Sequence, residues 1–175
     1  MGERISAAVL VPVFRDGEGE LRLVLVVRAA GGAHGGQIGL PGGKREPGDR
    51  TLLETALREA EEEVGLARDR VEIVAELDEL DSRATGFRVK PYLGRIVPPG
   101  RWRLAGAEIT ELLTPTIDSL ADVASRREEP IAVPSWPLPR LIAGITLGDG
   151  YFLWGLTLRV LEPLLPRLLA GEWTF

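Results

Sequence analysis

Sixteen consecutive residues, Thr51 to Leu66 (TLLETALREAEEEVGL), constrain this chain more than any other stretch. Wound as a helix, they put Leu53, Ala56, Leu57, Ala60 and Val64 on one face. Glu59, Glu62 and Glu63 share a different arc, because residues three and four apart are neighbours on a helix surface. Each like-charged pair there costs about 0.2–0.5 kcal/mol. A hard divalent cation relieves that repulsion, since it prefers carboxylate oxygens and keeps some of its own waters. The competing reading is a solvated acidic face, neutralised by Arg58 and solvent. The preceding segment, Leu40 to Asp49 (LPGGKREPGD), carries Pro-Gly, Gly-Gly and Pro-Gly in turn and reads as a tight loop. Its glycines let the backbone approach a ligand, and Asp49 or Thr51 can cap the helix that follows. Such a loop can offer main-chain amides and carbonyls to a phosphate or a metal.

Together, loop and helix resemble the Nudix box of hydrolases that act on nucleoside-diphosphate derivatives. That pattern reads Gly, five residues, Glu, seven residues, Arg-Glu, an apolar residue, any residue, Glu-Glu, any residue, Gly, apolar. Here it runs from Gly43 through Asp49 to Arg58, Glu59, Ala60, Glu61, Glu62, Glu63, Val64, Gly65 and Leu66. Asp49 stands in place of the first Glu, and eight residues rather than seven separate it from Arg58. The resemblance implies that Glu59, Glu62 and Glu63, with the Gly43 carbonyl, bind Mg²⁺ or Mn²⁺. It implies that Arg58 orients the glutamates through bidentate hydrogen bonds. It also implies a further carboxylate outside the box as base or extra ligand. Glu108 is the preferred candidate, ahead of Glu111, with Asp81 and Glu128 behind.

The remaining composition narrows the class without changing it. A chain of 175 residues suits one domain, 1–175, with a real core. A net charge of −5 argues against nucleic-acid binding through a basic face. A small anionic substrate is still acceptable, because a bound metal reverses the local sign. With no cysteine, disulfides, thiolate metal sites and cysteine nucleophiles are excluded. No apolar run reaches the ~20 residues of a membrane helix, and the N-terminus does not read as a signal peptide. The expectation is a cytoplasmic protein without membrane contact. The resemblance adds a homodimer.

Along the chain, Ile5–Phe14 and Leu21–Arg28 read as a β-hairpin, with Pro12 marking an edge or a bulge. Ala29–Gly36 is a glycine-rich loop and Gln37–Leu40 a short strand. Val71–Leu80 and Phe87–Val97 are strands, the second bent or at an edge at Pro91. Glu108–Leu113 is ambiguous between helix and strand. Pro115–Val123 is a short helix and Ser125–Pro139 a surface excursion. Arg140–Thr146 and Tyr151–Leu153 form a hairpin. Trp154–Leu169 has helical periodicity that Pro163 and Pro166 limit or kink. Strands, helix, strands and helix in that order predict an α/β fold, a mixed sheet covered by helices on both faces. The resemblance implies the same Nudix α/β/α sandwich.

The segment before the box bears on the substrate. Val27 to Lys44 (VRAAGGAHGGQIGLPGGK) resembles the upstream motif of coenzyme A diphosphatases, a Nudix subfamily. The shared features are Arg28 leaving a strand, then His34, Gly36 and Gln37, then Pro-Gly-Gly at Pro41, Gly42 and Gly43. Leu153–Leu161 resembles that subfamily's C-terminal helix, opened by a Trp-Gly pair. Arg28, Gln37 and Gly42 are accordingly expected to bind substrate, and Arg28 suits the 3′-phosphate of coenzyme A. The motif is one residue short between Arg28 and Gln37, a second basic residue is missing, and Leu40 replaces Phe. The expected products are adenosine 3′,5′-bisphosphate and 4′-phosphopantetheine. ADP-ribose, a dinucleotide or a nucleoside triphosphate is the alternative substrate, and a non-catalytic nucleotide sensor is the third reading. His34 is a candidate acid or base, or a stacking residue in a loop. Trp102, Trp136, Trp154 and Trp173 are candidates for stacking on adenine or for anchoring the core, and Trp136 for a lid or a subunit contact.

Overall fold

The computed structural model describes residues 4–30, 35–82, 86–133 and 136–175. His34 lies outside them. The first half runs β1 (Ile5–Arg15), β2 (Leu21–Leu23), β3 (Leu25–Arg28), β4 (Ile38–Gly39), β5 (Gly42–Lys44), α1 (Leu52–Val64), β6 (Val71–Glu76), β7 (Leu80–Asp81) and β8 (Phe87–Ile96). The second half runs β9 (Ile109–Leu113), α2 (Ile117–Ala121), β10 (Arg126–Ile131), β11 (Arg140–Thr146), β12 (Phe152–Leu153), α3 (Gly155–Leu161) and α4 (Leu165–Leu169).

β1 is the axis of the main sheet. β8 lies parallel to it, in register from Ile5 opposite Phe87 to Val13 opposite Arg95. β2 and β5 pair antiparallel with β1 on its other side, and β6 and β7 pair antiparallel with β8. The sheet is therefore mixed. Successive side chains of a strand point to opposite faces. Ala8 and Leu10 of β1, with Tyr92 and Ile96 of β8, pack against Ala56, Ala60 and Val64 of α1. Val11 and Val13, with Leu93, face the other way, onto Ile117 and Leu120 of α2 and Leu158, Leu161 and Leu165 of the C-terminal helices. Helices on both faces of a mixed sheet make the α/β/α sandwich that the element order predicts. No helix among the described residues is long and apolar enough to cross a membrane.

Several segments depart from the sequence expectation, each for a local reason. The expected second hairpin strand divides at Val24. β2 stays with β1, while β3 joins a second sheet between β4 and β9. Ile109–Leu113, ambiguous by pattern, is a strand because it completes that sheet against Leu25–Arg28. Neither Pro12 nor Pro91 marks an edge, since β1 and β8 are the two central strands. Pro12 falls where the neighbour of β1 changes from β5, paired with residues 7–9, to β2, paired with residues 13–15. Its carbonyl accepts from Val24 N at 2.9 Å. Pro91 falls where the neighbour of β8 changes from β7 to β6, and its carbonyl accepts from Leu77 N at 3.0 Å. A residue's N and C=O point to the same side of a strand, so each missing N–H falls at a break in pairing.

The first part of the predicted surface excursion is strand, because Arg126–Ile131 pairs along its whole length with β11. The predicted C-terminal helix is two, α3 and α4, parted around Pro163, with Pro166 tolerated in the first turn of α4. Gly42–Lys44, expected as loop, is strand β5 against Ala7–Val9. Only glycine permits that approach at position 42. Its φ is 153°, and a Cβ there would lie 2.4 Å from the Ala8 carbonyl oxygen and 2.6 Å from Val9 Cα. Gly42→Ala should therefore lower stability by more than about 1 kcal/mol, measured by chemical or thermal denaturation.

Candidate active site

The helix α1 is delimited as its sequence demands. Thr51 Oγ1 accepts from Glu54 N at 3.1 Å, so Thr51 and not Asp49 is the N-cap. Gly65, at φ 71°, closes the helix in the left-handed conformation. Ala56 and Ala60 keep α1 close to β1. That closeness sets Glu59 and Glu63 directly against β5. Glu62 projects outward, with 59% of its side chain exposed, whereas Glu63 is 2% exposed.

Asp49, freed from capping, holds Arg58. Arg58 Nε donates to Asp49 Oδ1 at 3.1 Å and its Nη2 to Oδ2 at 3.0 Å, a bidentate pair. Thr55 Oγ1 and Glu46 N each donate to Asp49 Oδ2 at 2.9 Å. The Arg58 guanidinium, ahead of the other donors, holds the Asp49 carboxyl well below the usual carboxylate range, against the opposing effect of burial. Arg58 is in turn pushed above its usual value, first by Asp49. Its Nη1 donates to Glu62 Oε2 at 2.9 Å and stands 3.1 Å from Glu59 Oε1, and its Nη2 reaches the Lys44 carbonyl at 3.2 Å. Arg58 thus sits between a buried anchor and two of the three glutamates.

Glu63 is held from the opposite side. Gly42 N donates to its Oε2 at 3.0 Å, and Arg28 Nη1 donates to Oε1 at 2.9 Å. Arg28 Nη2 also reaches the Gly42 carbonyl at 3.1 Å. Burial pushes the Glu63 carboxyl above its usual value, Arg28 opposes that shift, and the charge of Glu108 adds to it. Burial likewise raises Glu59; Arg58 opposes it, and the charges of Glu63 and Glu62 reinforce it. The Glu59 carboxylate lies on Gly43, where an added Cβ would come within 2.4 Å of Oε1.

Among the described residues, no three acids converge as a ready-made cation cage; arginines hold them instead. The donor set is nonetheless that of a hard cation. It is all oxygen, and the half-buried Glu59 and the buried Glu63 are carboxylates whose charged forms repel each other. A divalent ion removes that penalty, so the residues present fit one.

A cleft of about 1170 Å³ opens beside these groups. Arg28, Gln37, Gly42, Gly43, Lys44 and Glu108 line it together. Glu108 is exposed to it, whereas Glu111 accepts from the Tyr151 hydroxyl. Asp81 pairs with Arg4 and Arg88. Glu128 lies on the exposed strand β10. Of the four acids considered outside the box, Glu108 therefore stands beside the cluster. The pairing of Arg28 with Glu63 was not legible in the sequence, since nothing in the spacing of residues 28 and 63 announces it. The anchoring of Arg58 by Asp49 was missed too. Its only signal was an acid at the head of the helix in excess of the cap.

Residues 4–127 match the NUDIX domain throughout. The chain belongs to the Nudix family. It is 33% identical over 160 residues to the Nudix hydrolase NudL of Salmonella paratyphi B, itself described as uncharacterized, covering 91% of this chain and 80% of that protein. Among solved structures, the fold is similar to RenU, a Nudix hydrolase from M. smegmatis, with a TM-score of 0.64 and 19% identity over 100% of this chain and 91% of that one. It is also similar to the Nudix domain of NrtR from Shewanella oneidensis, solved with ADP ribose, with a TM-score of 0.52 and 18% identity over 67% and 76% of the two chains. This Nudix protein is a diphosphatase acting on the diphosphate linkage of nucleotide derivatives, and Nudix hydrolases generally work with divalent metal ions.

The Asp49–Arg58 pair gives a stability prediction. Asp49→Asn weakens a charge-assisted bidentate pair while Arg58 keeps Glu59 and Glu62, so it should cost about 1.5–3 kcal/mol near neutral pH. Because the folded-state pKa of Asp49 is depressed, its contribution is complete above the unfolded value near 4. It is lost as pH falls through the lower folded value. The stability gap between wild type and Asp49→Asn, measured by urea denaturation, should therefore narrow below about pH 4.

Proposed function

We propose that this Nudix hydrolase cleaves the diphosphate of coenzyme A or an acyl-coenzyme A, releasing adenosine 3′,5′-bisphosphate and 4′-phosphopantetheine. One observation carries the reading. Arg28, Gln37 and Gly42, which bear the resemblance to coenzyme A diphosphatases, line one cleft with Glu108, and Arg28 and Gly42 both bond to Glu63 of α1.

In this reading Glu59, Glu62 and Glu63, with the Gly43 carbonyl, would hold Mg²⁺ or Mn²⁺. The bound ion would acidify a water and neutralise charge on the departing phosphate. The chain's own residues do the rest. Asp49 fixes Arg58, and Arg58 aims Glu59 and Glu62. Gly42 N and Arg28 fix Glu63 from the other side. Glu108, exposed on the cleft wall, is the base that takes a proton from the attacking water. Lys44 and Arg28 bring positive charge to the phosphates. Gln37 lines the approach. The resemblance also supports a homodimer.

The alternative substrates share the chemistry. ADP-ribose has a specific observation in its favour, because the NrtR Nudix domain binds ADP ribose. The deciding experiment offers coenzyme A, acyl-coenzyme A, ADP-ribose, dinucleotides and nucleoside triphosphates with Mg²⁺ or Mn²⁺ and identifies products by mass. Coenzyme A should be cleaved best. Efficient cleavage of ADP-ribose with none of coenzyme A would overturn the assignment. No cleavage of any diphosphate would favour the non-catalytic sensor. Glu63→Gln should cut turnover by orders of magnitude while the protein still folds. Because Arg28 also steadies Glu63, Arg28→Ala should slow every substrate. Its role at the 3′-phosphate is read from the ratio of kcat/KM for coenzyme A to that for 3′-dephospho-coenzyme A, which should fall.

A further inference from the structure

The cleft has a second end that the diphosphate chemistry leaves unexplained. Two tryptophans meet there: Trp136, before β11, and Trp154, at the start of α3. Both line the cleft and both are half-buried. Their ring centroids are 6.3 Å apart and their planes are inclined at 58°. Trp102 and Trp173 pack against the hydrophobic core; Trp136 and Trp154 belong to neither core cluster. Large aromatic rings outside the core and facing a cleft are surface held ready for a ligand. Both lie beyond residue 127, where the match to the NUDIX domain ends.

We infer that Trp136 and Trp154 form an aromatic corner that receives the planar base of a nucleotide substrate. The inference rests on the reading of the cleft as a nucleotide diphosphate site, and it names the residues that recognise the base. The rings touch each other, so no third ring fits between them. A base stacks on one ring and presents its edge to the other. The Arg140 guanidinium lies 5.0 Å from the Trp136 ring centroid, a cation–π contact. It backs Trp136 on one face, which steadies the ring. The phosphates then lie toward Gly42, Gly43 and Lys44, at the carboxylate end of the same cleft. A flexible aliphatic tail needs no such ring planes, since Val133, Ile142 and Val160 already supply apolar wall. A base gains from them directly, through stacking that is tolerant of its identity.

Calorimetric titration of the full chain with AMP, in EDTA so that nothing turns over, tests the assignment. Ribose 5-phosphate serves as the baseless comparison and 4′-phosphopantetheine as the chain-like one. AMP should bind wild type, and Trp136→Leu and Trp154→Leu should each weaken it about fivefold or more. Trp136→Phe and Trp154→Phe should retain most of the affinity, and thermal melts should report folded variants. Ribose 5-phosphate should be indifferent to all four substitutions. AMP affinity unchanged in both leucine variants would overturn the corner. So would a loss confined to 4′-phosphopantetheine, which would make the corner a tail site. With substrate and metal, Trp136→Leu should raise KM far more than it lowers kcat. The two readings fail separately: hydrolysis without tryptophan-dependent AMP binding sinks only the corner. Tryptophan-dependent AMP binding without hydrolysis sinks only the enzymatic assignment.

Discussion

A single buried carboxylate, Glu63, ties the site together. A charge that far from water must be paired or hydrogen-bonded, or it neutralises. Glu63 meets that demand by accepting from Gly42 N of β5 and from Arg28 at the end of β3. Three elements from two sheets and a helix are thereby fixed at one point. The glycine loop becomes strand, Arg28 turns inward, and α1 is held at the distance at which Glu59 rests on Gly43. Arg58 does the corresponding work on the outer side, with Asp49 as its foundation. The glutamates are thus arranged before any cation arrives, each with an arginine beside it, and a cation entering among them competes with those arginines.

Much of this was legible in the chain, and the limits of legibility are physical. The helix could be read from Thr51 to Gly65 because capping, periodicity and a left-handed terminator are local properties. Spacing grouped Glu59, Glu62 and Glu63 on one arc; Glu59 and Glu63 do lie against β5, whereas the Glu62 side chain is mostly in solvent, which spacing could not tell. Strand β5 was read as loop because Gly42, Gly43 and Lys44 carry no β-propensity; its pairing comes from the closeness that glycine permits. The break at Val24 and the pairing of Arg126–Ile131 depend on partners far along the chain, which local pattern cannot see. Arg28 was picked out by resemblance as a phosphate reader. Its bond to Glu63 was visible only in three dimensions.

Composition and site answer different questions. An acidic chain with acidic side chains in its site looks ill-suited to an anionic substrate. The structure removes the paradox locally, since Arg28, Arg58 and Lys44 gather around the acids, and the oxygen-rich donor set suits a divalent ion. Net charge governs what the whole surface attracts at long range, and these few groups govern what is held at the cleft.

The two prolines of the central strands have a consequence for assembly of the sheet. Pro12 and Pro91 can each sit only opposite a gap, and the gaps are set by different neighbours on opposite flanks of the β1–β8 pair. If either strand slid against its outer neighbours, a proline would face a carbonyl it cannot satisfy. The prolines act as alignment pins, each setting its central strand against the outer neighbours and rejecting the near-misses that aliphatic sequences such as AAVLV would otherwise allow.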